Sequence, residues 1–103
     1  MTFSELIRSD KPVLVDFSAE WCGPCKMLAP VLEDVKRRIG DRASIFKLDV
    51  DRTPMIASSY KVVSVPTLII FQNGNPVWRR SGVLSAVEIT QTLESFSKPV
   101  DVE

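Results

Sequence analysis

The sequence predicts an α/β domain of three layers, in which a central mixed sheet of about four strands is flanked by helices. Three observations carry this expectation. Hydrophobic periodicity changes along the chain in the order helix, strand, helix, strand, helix, strand, strand, helix, which reads as a parallel strand–helix–strand unit followed by a hairpin. Val13-Leu14-Val15-Asp16-Phe17 is almost continuously apolar, as a central strand covered on both faces must be. Asn73-Gly74, set between two strand-like runs, is a hairpin turn signal that makes the last two strands antiparallel. A chain of 103 residues can bury roughly two thirds of its unfolded surface as one domain, so residues 1–103 are read as a single unit.

Each element has its own local signals. Thr2 and Glu5 have the spacing of a capping box, and Phe3, Leu6 and Ile7 share a face, which predicts a short amphipathic helix ending near Ser9. Lys11 and Pro12 then interrupt before the strand Val13 to Phe17. A second helix is expected from about Gly23 to Ile39. Leu28, Leu32, Val35 and Ile39 form its buried stripe, Lys36, Arg37 and Arg38 crowd its exposed end, and Gly40 supplies the stop. Pro30 is expected to kink it, because it lacks an N–H and presses on the carbonyl of Lys26.

Ser44 to Asp51 alternates as a strand, with Phe46, Leu48 and Val50 on one side and Ile45, Lys47 and Asp49 on the other. Thr53 is the expected cap of a third helix, with Pro54 at its first position and Ile56 and Tyr60 turned inward before Val62. Pro66 to Phe71 is the next apolar strand, and Val77 to Gly82 returns antiparallel, with Pro76 and Arg79-Arg80 suited to a sheet edge. Ser85 and Glu88 repeat the capping-box spacing ahead of a helix whose Ile89, Leu93 and Phe96 face the sheet. Lys98 to Glu103 is expected to be a frayed tail.

Charge and composition narrow the partners. Thirteen basic and thirteen acidic residues cancel, and no basic run points to nucleic acid or a membrane surface, so recognition is expected to rest on shape and apolar contact. The apolar runs are too short to cross a bilayer. The amino terminus, Met1-Thr2-Phe3-Ser4-Glu5, places an acid where a secretory signal would be basic, which makes the reducing cytoplasm the expected compartment.

The chemistry is concentrated in Trp21-Cys22-Gly23-Pro24-Cys25-Lys26, which holds the only two cysteines, directly after the first strand. Cys22 falls at the first turn of the following helix, where free backbone N–H groups and the positive end of the helix dipole favour a thiolate. Cys25 lies one turn on, on the same face and near enough to close a disulfide, and Gly23 and Pro24 shape the turn between them. Two bland readings compete. A zinc site needs four ligands, and this chain has no histidine and only these two thiols. A purely structural disulfide across so short a loop contributes only about 2 kcal/mol of loop entropy. A redox switch accounts for the spacing better than either.

Val15-Asp16-Phe17, Trp21-Cys22-Gly23-Pro24-Cys25-Lys26, Pro30, Val65-Pro66-Thr67, Asn73-Gly74 and Gly82 all stand where thioredoxins carry them, and the whole chain resembles the thioredoxin family. The resemblance implies a thioredoxin-like fold and a reductase of protein disulfides, acting as a monomer on disulfide-containing substrate proteins. It also implies a redox-active Cys22–Cys25 disulfide with no bound metal or organic cofactor, re-reduced by a flavin-dependent thioredoxin reductase that draws on NADPH. Two departures accompany it. About ten residues that form an additional edge strand in longer thioredoxins are missing ahead of the first helix, which would leave Ser44 to Asp51 at the sheet edge, guarded by Lys47 and Asp49. Ser18 stands where many bacterial members have an aromatic.

Further site residues follow from the same match. A carboxylate inside an apolar strand is costly, and burial raises its pKa, so Asp16 is a candidate proton acceptor; the alternative is a strand-end acid bonded to nearby backbone. Lys47 matches the lysine beside that acid, against the alternative of a solvated edge-strand lysine. Nothing local marks Val65-Pro66 as cis, but the resemblance implies a cis bond facing the dithiol, with the backbone of Val65 free to pair with a substrate strand. Trp21, Gly23, Pro24, Val65, Pro66, Gly82 and Val83 then form an apolar docking surface around Cys22, although Trp21 could instead pack in the core. Two rival functions share these features: a thiol oxidase or isomerase on the same fold, and a non-catalytic binding module. Gly23-Pro24 resembles the reducing members.

Overall fold

Local chemistry sets where each element begins and ends in the computed structural model, which describes residues 1–97; the expected tail lies outside the described residues. Helix α1 (Phe3–Leu6) opens on the capping box: the Glu5 N–H donates to Thr2 Oγ1 at 3.2 Å and the Thr2 N–H to Glu5 Oε1 at 2.9 Å. The helix is a single turn that stops short of Ser9, whose hydroxyl accepts the Lys11 N–H in the bend that follows. Strand β1 (Val13–Ser18) is buried throughout and runs one residue further than expected.

Helix α2 (Gly23–Ile39) continues unbroken through Pro30, which lies on its exposed side. Gly40 ends it in the left-handed region, at φ +60°, with its N–H returned to the Lys36 carbonyl. Strand β2 (Ser44–Asp49) is two residues shorter than the sequence suggested. The cause is Asp49, whose carboxylate accepts the Asp51 N–H at 2.8 Å and whose carbonyl accepts the Arg52 and Thr53 N–H groups, folding the chain away. The Thr53 hydroxyl joins the same carbonyl at 2.7 Å, so Thr53 occupies the cap position of helix α3 (Pro54–Ser59) without capping it.

Strand β3 (Thr67–Gln72) starts after Pro66, and strand β4 (Asn75–Ser81) starts two residues earlier than expected, accommodating Pro76 opposite Phe71 at a register irregularity. Asn73 and Gly74 both have positive φ, as a tight hairpin requires. The turn is also tied down. Its Asn73 N–H donates to the Ser9 carbonyl at 2.7 Å, its Gly74 N–H donates to the Ile7 carbonyl at 3.0 Å, and Gln72 Nε2 donates to the carbonyls of Asp10 and Phe96. Helix α4 (Ala86–Ser97) keeps half of its expected box: the Glu88 N–H donates to Ser85 Oγ, while the Glu88 carboxylate faces Arg80.

The sheet order is β2-β1-β3-β4, with β1 and β2 parallel and the other pairs antiparallel. Alternation along β1 splits the core between the two faces. Leu14 joins Leu28, Leu32, Val35 and Ile39 of α2 and Ile89 and Leu93 of α4, while Val13, Val15 and Phe17 join Ile7, Ile69 and Phe71 with Tyr60 and Ile56 packed against them. Asp16 belongs to the first of these faces, and β1 delivers it, with the chain leading to Cys22, to the carboxyl end of the sheet.

Because β2 is an edge strand with Phe46 and Lys47 exposed, it is expected to open more readily than β1, which is bonded on both sides. Native-state hydrogen exchange should show faster amide exchange in β2; equal protection in the two strands would contradict this.

Candidate active site

Cys22 and Cys25 are joined as a disulfide, with Cα atoms 5.3 Å apart. Cys22 has extended backbone and serves as N-cap of α2: its Sγ accepts the Cys25 N–H at 3.1 Å, and its carbonyl accepts the Lys26 N–H. The sulfur therefore sits where the helix presents unpaired donors. Both residues are buried, 4% and 3% exposed, with Ala19, Val50 and Val65 packed around them, although the position of Cys22 at the helix terminus, a turn ahead of Cys25, predicts that it is the more exposed. As whole residues the two are buried alike, and they differ in their position on the helix.

Asp16 is 1% exposed and its Oδ1 has no hydrogen-bond partner. Burial pushes its carboxyl up to about 6, and the opposing pull of the Lys47 cation is the smaller effect. Lys47 is the residue paired with Asp16 across the β1–β2 register. The two line a cavity of about 230 Å³ with Ala29, Leu32, Glu33 and Lys36 of α2 and Ile45 of β2. Ala29 lies one helical turn beyond Cys25, so the cavity extends along the helix face that carries the second thiol. Ser18, two residues from Asp16 on the same strand face, is likewise buried with its hydroxyl unpartnered.

The apolar surface beside the disulfide is built from loops. Trp21 is 71% exposed, which rules out the core-packing alternative, and its indole N–H donates to Asp51 Oδ2 at 2.9 Å. Gly23 and Pro24 are exposed next to it. The Val65–Pro66 bond is cis; the Val65 carbonyl oxygen lies 3.7 Å from Cys22 Sγ, and the Pro66 carbonyl accepts the Gly82 N–H at 2.9 Å, which brings Gly82 and the exposed Val83 alongside. A cavity of about 140 Å³ between Trp21 and Val65 is lined also by Val50, Val62, Val63 and Ser64. Val63 is 94% exposed. Asp51 and Val63 escaped the sequence reading: a surface acid has no periodic signal, and a valine in the apolar run Val62-Val63-Ser64-Val65 reads as core until its loop is seen. Among the described residues no group of three or more acidic or thiol side chains is gathered as metal ligands.

A Cys-x-x-Cys disulfide that caps the helix after a central strand, beside a buried acid and an exposed apolar rim, defines a thiol–disulfide oxidoreductase. The thioredoxin family model matches residues 1–95. A thioredoxin-like protein of Synechocystis is 46% identical over 95 residues, covering 91% of this chain and 90% of that protein. A bifunctional thioredoxin reductase/thioredoxin of Mycobacterium leprae is 47% identical over 91 residues, 88% of this chain but 20% of that longer protein. A solved mutant thioredoxin from Halobacterium salinarum superposes with a TM-score of 0.84 at 36% identity, covering 95% of this chain and 85% of its own. The chain belongs to the thioredoxin family and is a protein-disulfide oxidoreductase whose Cys22–Cys25 pair serves disulfide reduction.

Proposed function

We propose that the two thiols divide the reaction, with Cys22 as nucleophile and Cys25 as resolving thiol. The observation that carries this is the Cys25 N–H aimed at Cys22 Sγ, together with the free donors of the helix start, which stabilise negative charge on Cys22 rather than on Cys25. The Cys22 thiolate attacks one sulfur of a substrate disulfide, forms a mixed disulfide and expels the other sulfur as a thiolate. Cys25 then gives its proton to the Asp16 carboxylate and attacks Cys22, so that the second substrate thiolate leaves and the two electrons of the dithiol have passed to the substrate. Lys47 holds the Asp16 proton affinity below what burial alone would set. Trp21, Gly23, Pro24, Val65, Pro66, Gly82 and Val83 dock the substrate segment, with the Val65 backbone offered as a strand partner.

In this reading the protein works as a monomer in the cytoplasm and is re-reduced by a flavin-dependent, NADPH-using thioredoxin reductase. The mycobacterial relative whose name joins a thioredoxin reductase to a thioredoxin supports the pairing with a reductase. The test is coupled turnover: NADPH, a thioredoxin reductase and insulin should give NADPH oxidation that depends on this protein. Reduction of insulin with dithiothreitol but none with the reductase would overturn the partner assignment. Equilibration with glutathione tests the direction, since a reductant should be found as the disulfide at the oxidising poise of about −200 mV; a dithiol that stays reduced there would mark an oxidase.

A further inference from the structure

Helix α3 ends in a turn that its sequence makes difficult. The Lys61 N–H donates to the Ser58 carbonyl at 3.0 Å and the Val62 N–H to the Ala57 carbonyl at 2.9 Å, the paired bonds of a Schellman turn. The residue in the left-handed position of that turn, normally glycine, is Lys61, at φ +55°. Arg79 of β4 meets the turn from the sheet. Its guanidinium donates through Nη1 to the Tyr60 carbonyl and through Nη2, at 2.6 Å, to the Lys61 carbonyl. Its backbone is fixed opposite Ile69 in the β3–β4 register, and it enters no ion pair among the described residues. The next residues, Val62 to Val65, line the cavity beside Trp21 and end with the Val65 carbonyl 3.7 Å from Cys22 Sγ.

We propose that Arg79 is a positioning residue for protein substrates. Its planar fork holds a glycine-type turn open to a lysine, and so fixes the path of Val62–Val65 past Cys22 without touching the reacting sulfurs. The proposal rests on the reading that this loop docks the substrate. Loss of Arg79 should therefore weaken reaction with a protein disulfide and spare a small one, and a glycine at position 61 should make Arg79 dispensable, because glycine adopts the turn unaided.

Stopped-flow rate constants of the reduced protein with insulin and with dithiobis(nitrobenzoate) test this. Arg79→Gln should slow insulin about tenfold, the scale of a lost charge-assisted bond, and leave the small disulfide within about twofold. In a Lys61→Gly background the same substitution should slow insulin less than about twofold. Equal slowing of both disulfides, no slowing of either, or an undiminished loss in the Lys61→Gly background would overturn the proposal. Val63→Asp separates it from the docking reading: if Val63→Asp slows insulin while Arg79→Gln does not, only the role of Arg79 fails, and if Val63→Asp has no effect the docking loop itself is wrong.

Discussion

Cys25→Ser is expected to accumulate a covalent complex with substrate proteins, joined through Cys22, whereas Cys22→Ser should capture almost none. Attack requires only the thiolate at the helix start; release requires a second sulfur one turn on, and serine cannot supply it. Protein-disulfide reduction should fall by about a thousandfold or more in Cys22→Ser, the scale on which the loss of a covalent nucleophile is felt. The two residues are buried alike, and the asymmetry comes from the helix terminus, where Cys22 Sγ accepts the Cys25 N–H. Non-reducing gels of trapped complexes and alkylation rates against pH provide the check. Equal trapping by the two variants, or faster alkylation at Cys25, would reverse the assignment.

Asp16→Asn is expected to stabilise the protein at neutral pH while slowing the resolving step. The carboxyl is held at about 6 in the folded protein against an ordinary value of 3.8, so between those values the folded state binds more protons than the unfolded chain. Stability therefore falls as pH rises from about 4 to about 6 and carries the full cost of the buried charge above that. Two units correspond to about 3 kcal/mol, an upper limit on what removing the charge returns. Relative to Asp16→Asn, the parent should be progressively less stable from pH 4 to pH 7 in denaturant titrations; a constant difference across that range would refute the burial argument. Decay of a preformed mixed disulfide should slow about tenfold to a hundredfold in the same variant, the low end of what a positioned base contributes.

Nearly all of the architecture was legible in the sequence because the signals that carry it are local. Continuous apolarity marked β1, capping residues marked α1 and α4, and the Asn73-Gly74 turn gave the hairpin. Element ends were less legible, since they depend on which carbonyl a side chain finds. Asp49 gathers four donors and truncates β2, and in doing so takes the Thr53 hydroxyl away from the helix it was expected to cap. The reactive pair was legible from spacing alone. Asp16, Lys47, Trp21 and Val65-Pro66 beside it were legible through the family resemblance, but the side-chain contacts that hold the rim were not, because that of Asp51 with Trp21 spans 30 positions and that of Arg79 with Lys61 spans 18.

The hairpin turn has a consequence for anyone who wishes to graft a foreign segment into this scaffold. A two-residue turn at the far end of a β-ribbon looks like the natural place for an insertion, and loop tips generally tolerate one. Here the Asn73 and Gly74 amides are already spent on the Ser9 and Ile7 carbonyls, so the tip doubles as the clasp that closes the amino-terminal arm onto the sheet. A peptide spliced there would unfasten that arm, and Ile7 with it, from the core cluster around Phe71.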